Sequence, residues 1–92
     1  MNEMAYYLSA HAEQEMVRRS ITSEMVHAVM TEPGQIVESH TNRLIYQSKM
    51  EIDGKLYLIR LIVEKTEPLT VVTAYRTGKV VKYWGDEHES NL

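Results

Sequence analysis

Apolar residues recur at helical spacing over the first third of the chain and at every second position over most of the rest. Ala12 and Met16 are one helical turn apart with Val17 beside them, while His11, Glu15 and Arg19 form an i, i+4, i+8 row on the adjoining polar side. Ser9 precedes this pattern as an N-cap, its hydroxyl placed to accept a free N–H of the first turn, so a first helix is predicted to run to about Arg19. Thr22 is a second N-cap, flanked by Ile21 and Val26 at the spacing of a hydrophobic staple. Met25, Val26, Val29 and Met30 supply the stripe of a second helix over about Ser23–Met30. Pro33-Gly34 then reads as a type II turn, with Gly34 taking the positive φ. Met1–Leu8 is a lead-in whose Ala5–Leu8 portion is compatible with extended chain.

Beyond Gly34 the period becomes two, and strands are predicted at about Gln35–His40, Asn42–Ile52, Lys55–Glu64 and Leu69–Arg76. Asp53-Gly54 between two β-rich runs marks a two-residue type I′ hairpin. That loop sets the register: Ile52 opposite Lys55, Met50 opposite Tyr57, Tyr46 opposite Leu61. One face then carries Leu44, Tyr46, Met50, Tyr57, Ile59, Leu61 and Val63, a core face. The other carries Gln47, Lys49, Glu51 and Arg60, interrupted by Leu56, Leu58 and Ile62. Glu67-Pro68 breaks the chain before the last long strand. The stretch Arg76–Trp84 fits either a short hairpin return or a C-terminal turn packed on the sheet, and residues 84–92 read as a flexible acidic tail. The layout is an α+β domain, two N-terminal helices packed on one side of an antiparallel sheet of about four strands.

Composition adds bounds. Ninety-two residues, 43% hydrophobic and 25% charged, suit one globular domain spanning 1–92, with a core of aliphatic residues and Tyr because Phe is absent and Trp84 is alone. There is no cysteine, which excludes disulfides and thiol chemistry. No apolar run has membrane-spanning length and no secretory leader opens the chain, so the expected location is the cytoplasm. The net charge of −3 argues against an indiscriminate polyanion binder, yet it is unevenly spread: −4 over residues 1–39, +4 over 40–83 and −3 over 84–92. A basic patch in the second half suits a phosphate backbone; a mixed solvated surface accounts for it equally well.

The histidines His11, His27, His40 and His88 have no paired metal-ligand spacing, the four glycines are isolated, and no Gly-x-Ser-x-Gly elbow exists. No metal and no cofactor are expected. What remains is a metal-independent set: His11, Arg19, Arg60, Thr73 and Tyr75, with Lys79 and Lys82. Cleavage of RNA through its own 2′-hydroxyl needs a base, an acid and cations for the developing phosphorane charge. His and Tyr supply proton transfer, and Arg suits planar, bidentate phosphate contact. Thr73 and Tyr75, two apart on a strand, share one face. Each also has an ordinary reading: Thr and Tyr are common strand residues, and Arg19 at the polar border is placed to cover core edge with its aliphatic stem.

Ser9-x-His11-Ala12, Met16, Arg19-x-Ile21, the Pro-Gly after the second helix and Val71-Val72-Thr73-Ala74-Tyr75-Arg76-Thr77…Lys79…Lys82-Tyr83-Trp84 together resemble the small bacterial domain-of-unknown-function family numbered 4258, over about residues 6–84. The resemblance implies kinship with RelE/ParE-like and barnase-like metal-independent ribonuclease toxins, a RelE-like fold, and a toxin's role beside an antitoxin partner. It carries the catalytic positions to His11, Arg19, Arg60, Thr73 and Tyr75, with Arg76, Lys79 and Lys82 as candidates for binding RNA. One departure stands out: Glu15 occupies a position where the family commonly has Arg. Two classes of function are therefore expected, a toxin-like ribonuclease and a non-catalytic protein-interaction module that keeps the fold.

Overall fold

A computed structural model describes residues 5–39 and 41–84. Of the tail expected over residues 84–92, Trp84 is described and packs against Gly34, so it is no part of a free tail; the rest, and the strand end at His40, lie outside the described residues. In chain order the elements are β1 (Tyr6–Leu8), α1 (Ala10–Arg18), α2 (Ser23–Thr31), β2 (Gln35–Glu38), β3 (Leu44–Ile52), β4 (Lys55–Glu64), β5 (Leu69–Thr77) and α3 (Val80–Tyr83). The five strands form one sheet in the order β1-β5-β4-β3-β2. β1 runs parallel to β5, and every other pair is antiparallel.

This corrects the expected architecture of two N-terminal helices on an antiparallel sheet of about four strands. A strand precedes the helices, the sheet is mixed, and a third helix follows it. Parallel partners need a long crossover connection, here everything between Leu8 and Leu69, so no local pattern announces that Tyr6–Leu8 pairs with Leu69–Val71. Three residues are also too few for a period of two to register.

Both longer helices begin as their caps dictate. The Ser9 hydroxyl accepts from the Ala12 amide at 3.0 Å and the Thr22 hydroxyl from the Met25 amide at 3.1 Å. α1 ends with Ser20 at φ 57°, the Ile21 amide donating to the Met16 carbonyl at 2.8 Å and the Ser20 amide to the Val17 carbonyl at 3.3 Å. This left-handed exit turns the chain so that Ile21 enters the core. Ala12 and Met16 of α1 and Val26, Val29 and Met30 of α2 pack on Tyr46, Ile59, Leu61, Val63, Val71 and Ala74 of the sheet. Val17, expected in that core, is 83% exposed, because it lies one residue off the Ala12–Met16 line.

Asp53 at φ 53° and Gly54 at φ 81° close the predicted two-residue loop, and the expected pairs Ile52–Lys55, Met50–Tyr57 and Tyr46–Leu61 all form. The Pro33-Gly34 turn differs. The one positive-φ glycine among the described residues is Gly54, so Gly34 is present for another reason. A β-carbon on Gly34 would stand 2.7 Å from the Trp84 ring and 3.3 Å from the Gln47 carbonyl oxygen. Trp84 lies flush against that backbone at the end of α3.

Met16→Ala is expected to destabilise the protein by about 2–5 kcal/mol through lost burial and a residual cavity, and Val17→Ala by less than about 0.5 kcal/mol, read from urea midpoints. Gly34→Ala is expected to push Trp84 off its seat. Trp84 is the sole tryptophan, so intrinsic fluorescence reads this as a shift in emission and easier quenching by acrylamide.

Candidate functional site

The sheet face turned away from α1 and α2 carries a polar row across four strands. Gln35 pairs with Gln47, Gln47 with Arg60, and Arg60 with Tyr75 in the ladder register, so all four side chains emerge side by side. They are joined end to end. Gln47 Nε2 donates to Gln35 Oε1 at 2.7 Å, Arg60 Nε donates to Gln47 Oε1 at 2.8 Å, and Arg60 Nη1 donates to Tyr75 Oη at 2.6 Å. α3 closes over the row. The Tyr83 carbonyl accepts from Gln47 Nε2 at 3.1 Å, and the Tyr83 ring lies 4.1 Å from the Arg60 guanidinium carbon, with the Tyr75 ring at 5.6 Å.

Arg60 is thus 7% exposed and Gln47 fully buried. Alternation assigns Arg60 to the more polar face, opposite the core face, and the structure puts it there. The face is covered because α3 folds back on it. Among the described residues no carboxylate lies within ion-pair distance of Arg60. Its charge is held by two neutral acceptors and two aromatic rings, an arrangement that keeps a guanidinium in place without neutralising it.

Arg19 reaches the same ring from the helix side. Past Val71, β5 has α1 beside it instead of a strand, fastened by the Ser9 amide on the Val71 carbonyl and the Ser9 hydroxyl on the Val72 carbonyl. At the far end of α1 the Arg19 guanidinium carbon lies 6.0 Å from the Tyr75 ring. Glu15 holds it there, accepting from Arg19 Nε at 2.7 Å and from Arg18 Nε at 3.3 Å. The hydrogen bonds from Arg19 first and Arg18 second hold the Glu15 carboxyl below its usual range, so it is ionised at neutral pH.

Of the expected catalytic residues, the fold brings Arg19, Arg60 and Tyr75 together. Thr73 shares their face, two residues from Tyr75 and opposite Ile62. His11 stands apart: it is exposed on α1, two turns before Arg19, and forms no hydrogen bond with a described residue. Of the expected RNA-binding residues, Arg76 turns to the other side of the sheet, 4.8 Å over the Tyr57 ring, while Lys82 lies 5.2 Å over Tyr83 and Lys79 precedes α3 at the N-cap position without a side-chain capping bond. Gln35, Gln47 and Tyr83 were not anticipated as parts of the site. For Gln47 the signal was present, since the Asp53-Gly54 register puts it opposite Arg60. For Tyr83 there was none. No group of three or more His, Asp or Glu gathers into a metal-binding cluster among the described residues, and none of their helices is long and apolar enough to cross a membrane.

The family described as Domain of unknown function (DUF4258) matches residues 8–82, and the chain belongs to that family. Comparison with curated proteins finds no match, and comparison with solved structures finds none either.

Gln47→Leu removes the acceptor of a buried guanidinium N–H and is expected to cost about 1–3 kcal/mol in urea denaturation. An unchanged midpoint would mean that the row does not bear on stability.

Proposed function

We propose that the protein is a toxin-like, metal-independent ribonuclease that works in the cytoplasm beside an antitoxin partner. The observation that carries this reading is the Arg60–Tyr75 pair: a guanidinium with no carboxylate partner among the described residues, hydrogen-bonded at 2.6 Å to a phenol oxygen. Because that oxygen accepts from Arg60, the phenolic proton stays available to donate outward. In transesterification the substrate's 2′-oxygen attacks phosphorus, the bond to the 5′-oxygen breaks, and a 2′,3′-cyclic phosphate forms. Tyr75 would protonate the leaving 5′-oxygen. Arg60, with Arg19 across the same ring, would stabilise the charge that grows on the phosphorane. His11 lies on the Arg19 row but about two turns away, so it is the candidate base only for an RNA strand laid along α1 whose 2′-hydroxyl reaches it, with Thr73 as the hydroxyl neighbouring Tyr75 on the sheet. Arg76, Lys79 and Lys82 would bind the rest of the RNA.

A second reading, a non-catalytic interaction module, is favoured by Glu15. It occupies Arg18 and Arg19 with negative charge where phosphate would otherwise enter.

Purified protein is expected to cleave single-stranded RNA in EDTA, leaving 2′,3′-cyclic phosphate ends. Tyr75→Phe should slow cleavage by about 10²-fold or more, the usual weight of a positioned acid; it also strips an acceptor from the buried Arg60 guanidinium and should cost about 1–3 kcal/mol, so cleavage is compared at a temperature where both proteins are folded. Glu15→Arg should tighten RNA binding at low salt. Absence of cleavage by the parent protein, with unchanged RNA affinity of Glu15→Arg, would leave the interaction module standing.

A further inference from the structure

The ten cationic side chains fall into two groups. Arg18, Arg19, Arg43 and Lys65 each pair with a glutamate. Lys49, Lys55, Arg60, Arg76, Lys79 and Lys82 pair with no carboxylate among the described residues. Five of these six instead lie over aromatic rings: Lys49 at 4.5 Å from Trp84, Lys55 at 5.5 Å and Arg76 at 4.8 Å from Tyr57, Arg60 at 4.1 Å from Tyr83, and Lys82 at 5.2 Å from Tyr83.

They divide between the two faces of the sheet: Lys49, buried Arg60 and Lys82 lie with Trp84 and Tyr83 on the α3 face, and Lys55 and Arg76 lie with Tyr57 on the opposite face, at the end nearest the Asp53-Gly54 loop and the β5–α3 turn. Lys49 is in ladder register with Leu58, and Leu58 with Thr77, which places the hairpin limb beside the start of the β5–α3 turn. The Lys55 side chain lies against Gly78, with Cε 3.7 Å and Nζ 3.8 Å from where a β-carbon would stand, next to Lys79. The stretches Leu44–Val63 and Leu69–Trp84, which carry these six cations, contain only Glu51 and Asp53 as acids. The glutamates of β2 and of the far end of β4 serve the Arg43 and Lys65 pairs instead.

We propose that this end, with Lys55, Tyr57 and Arg76 at its centre, is a binding surface for the backbone of single-stranded nucleic acid. It takes up phosphates whether or not the chain is cleaved. Cations resting on rings give up less freedom when a phosphate arrives than cations free in water, and no glutamate among the described residues has to be displaced first. Tyr57 is half-buried, so it keeps an accessible part beside Lys55 and Arg76, the combination of ring and charge that single strands use. The surface deepens the ribonuclease reading and rests on it only for the choice of nucleic acid over other polyanions.

The test is fluorescence anisotropy with labelled oligothymidylate, which has no 2′-hydroxyl and so reports binding apart from cleavage. Titrations run between about 50 and 200 mM salt. The Lys55→Gln, Arg76→Gln double variant is expected to bind about tenfold more weakly than the parent, with a salt slope lower by about 1.4 for two lost contacts. Lys55→Gln alone, at an exposed position, should lose about half of that slope. Lys65→Ala, which removes an ion-paired cation, should bind as the parent does. Parental binding by Lys55→Gln, or an equal loss in Lys65→Ala, overturns the surface. So does a parent protein that ignores oligothymidylate and binds phosphatidylserine vesicles or polyglutamate. Oligothymidylate bound as expected, with RNA left intact, supports the surface and removes the ribonuclease reading alone.

Discussion

A guanidinium drawn out of water must be given acceptors and polarisable neighbours, and meeting that demand for Arg60 shapes one whole side of this protein. The usual solution is a carboxylate, which would also cancel the charge. Here the supports are the Gln47 amide oxygen, the Tyr75 phenol oxygen and the rings of Tyr75 and Tyr83. All are neutral, so the site is both ordered and cationic. Each support comes from a different element: Gln47 from β3, Tyr75 from β5, Tyr83 from α3. The register of the sheet and the return of the C-terminal helix are consequently locked together by one side chain.

The same return explains two features that are obscure when each is viewed alone. Gly34 has an ordinary backbone conformation, and its missing β-carbon matters because the Trp84 ring occupies that space. Leu58, an apolar residue on the polar face, is fully buried there. A helix of four residues has little stability of its own. It is kept by the contacts at its end, Tyr83 on the Arg60 row and Trp84 on the start of β2. The proposed catalytic pair therefore lies beneath the least self-sufficient element of the fold.

Electrostatics divide the molecule in a way the net charge of −3 conceals. On α1, glutamate holds the arginines: Glu15 is ionised and directs Arg19 toward Tyr75 while offsetting its charge. At the hairpin end, cations rest on aromatic rings with few acids near.

Much of this was determined locally and was legible in the residues. The caps at Ser9 and Thr22, the Asp53-Gly54 loop with its register, and the two faces of the hairpin all depend on neighbours close in sequence, so spacing and residue type suffice. Membership of the family also rested on short motifs spread over the chain. Three things were decided only by the tertiary structure. β1 joins the sheet parallel to a strand some sixty residues away, and nothing within three residues encodes a partner so distant. Val17 faces water because the angle at which α1 meets β5 selects the Ala12–Met16 line, a difference of one residue that an apolar pattern does not resolve. And Arg60, assigned from alternation to the correct face, is buried because α3 folds over that face. Alternation reports which side of a sheet a residue takes; whether water or protein lies on that side depends on elements that arrive from elsewhere in the chain.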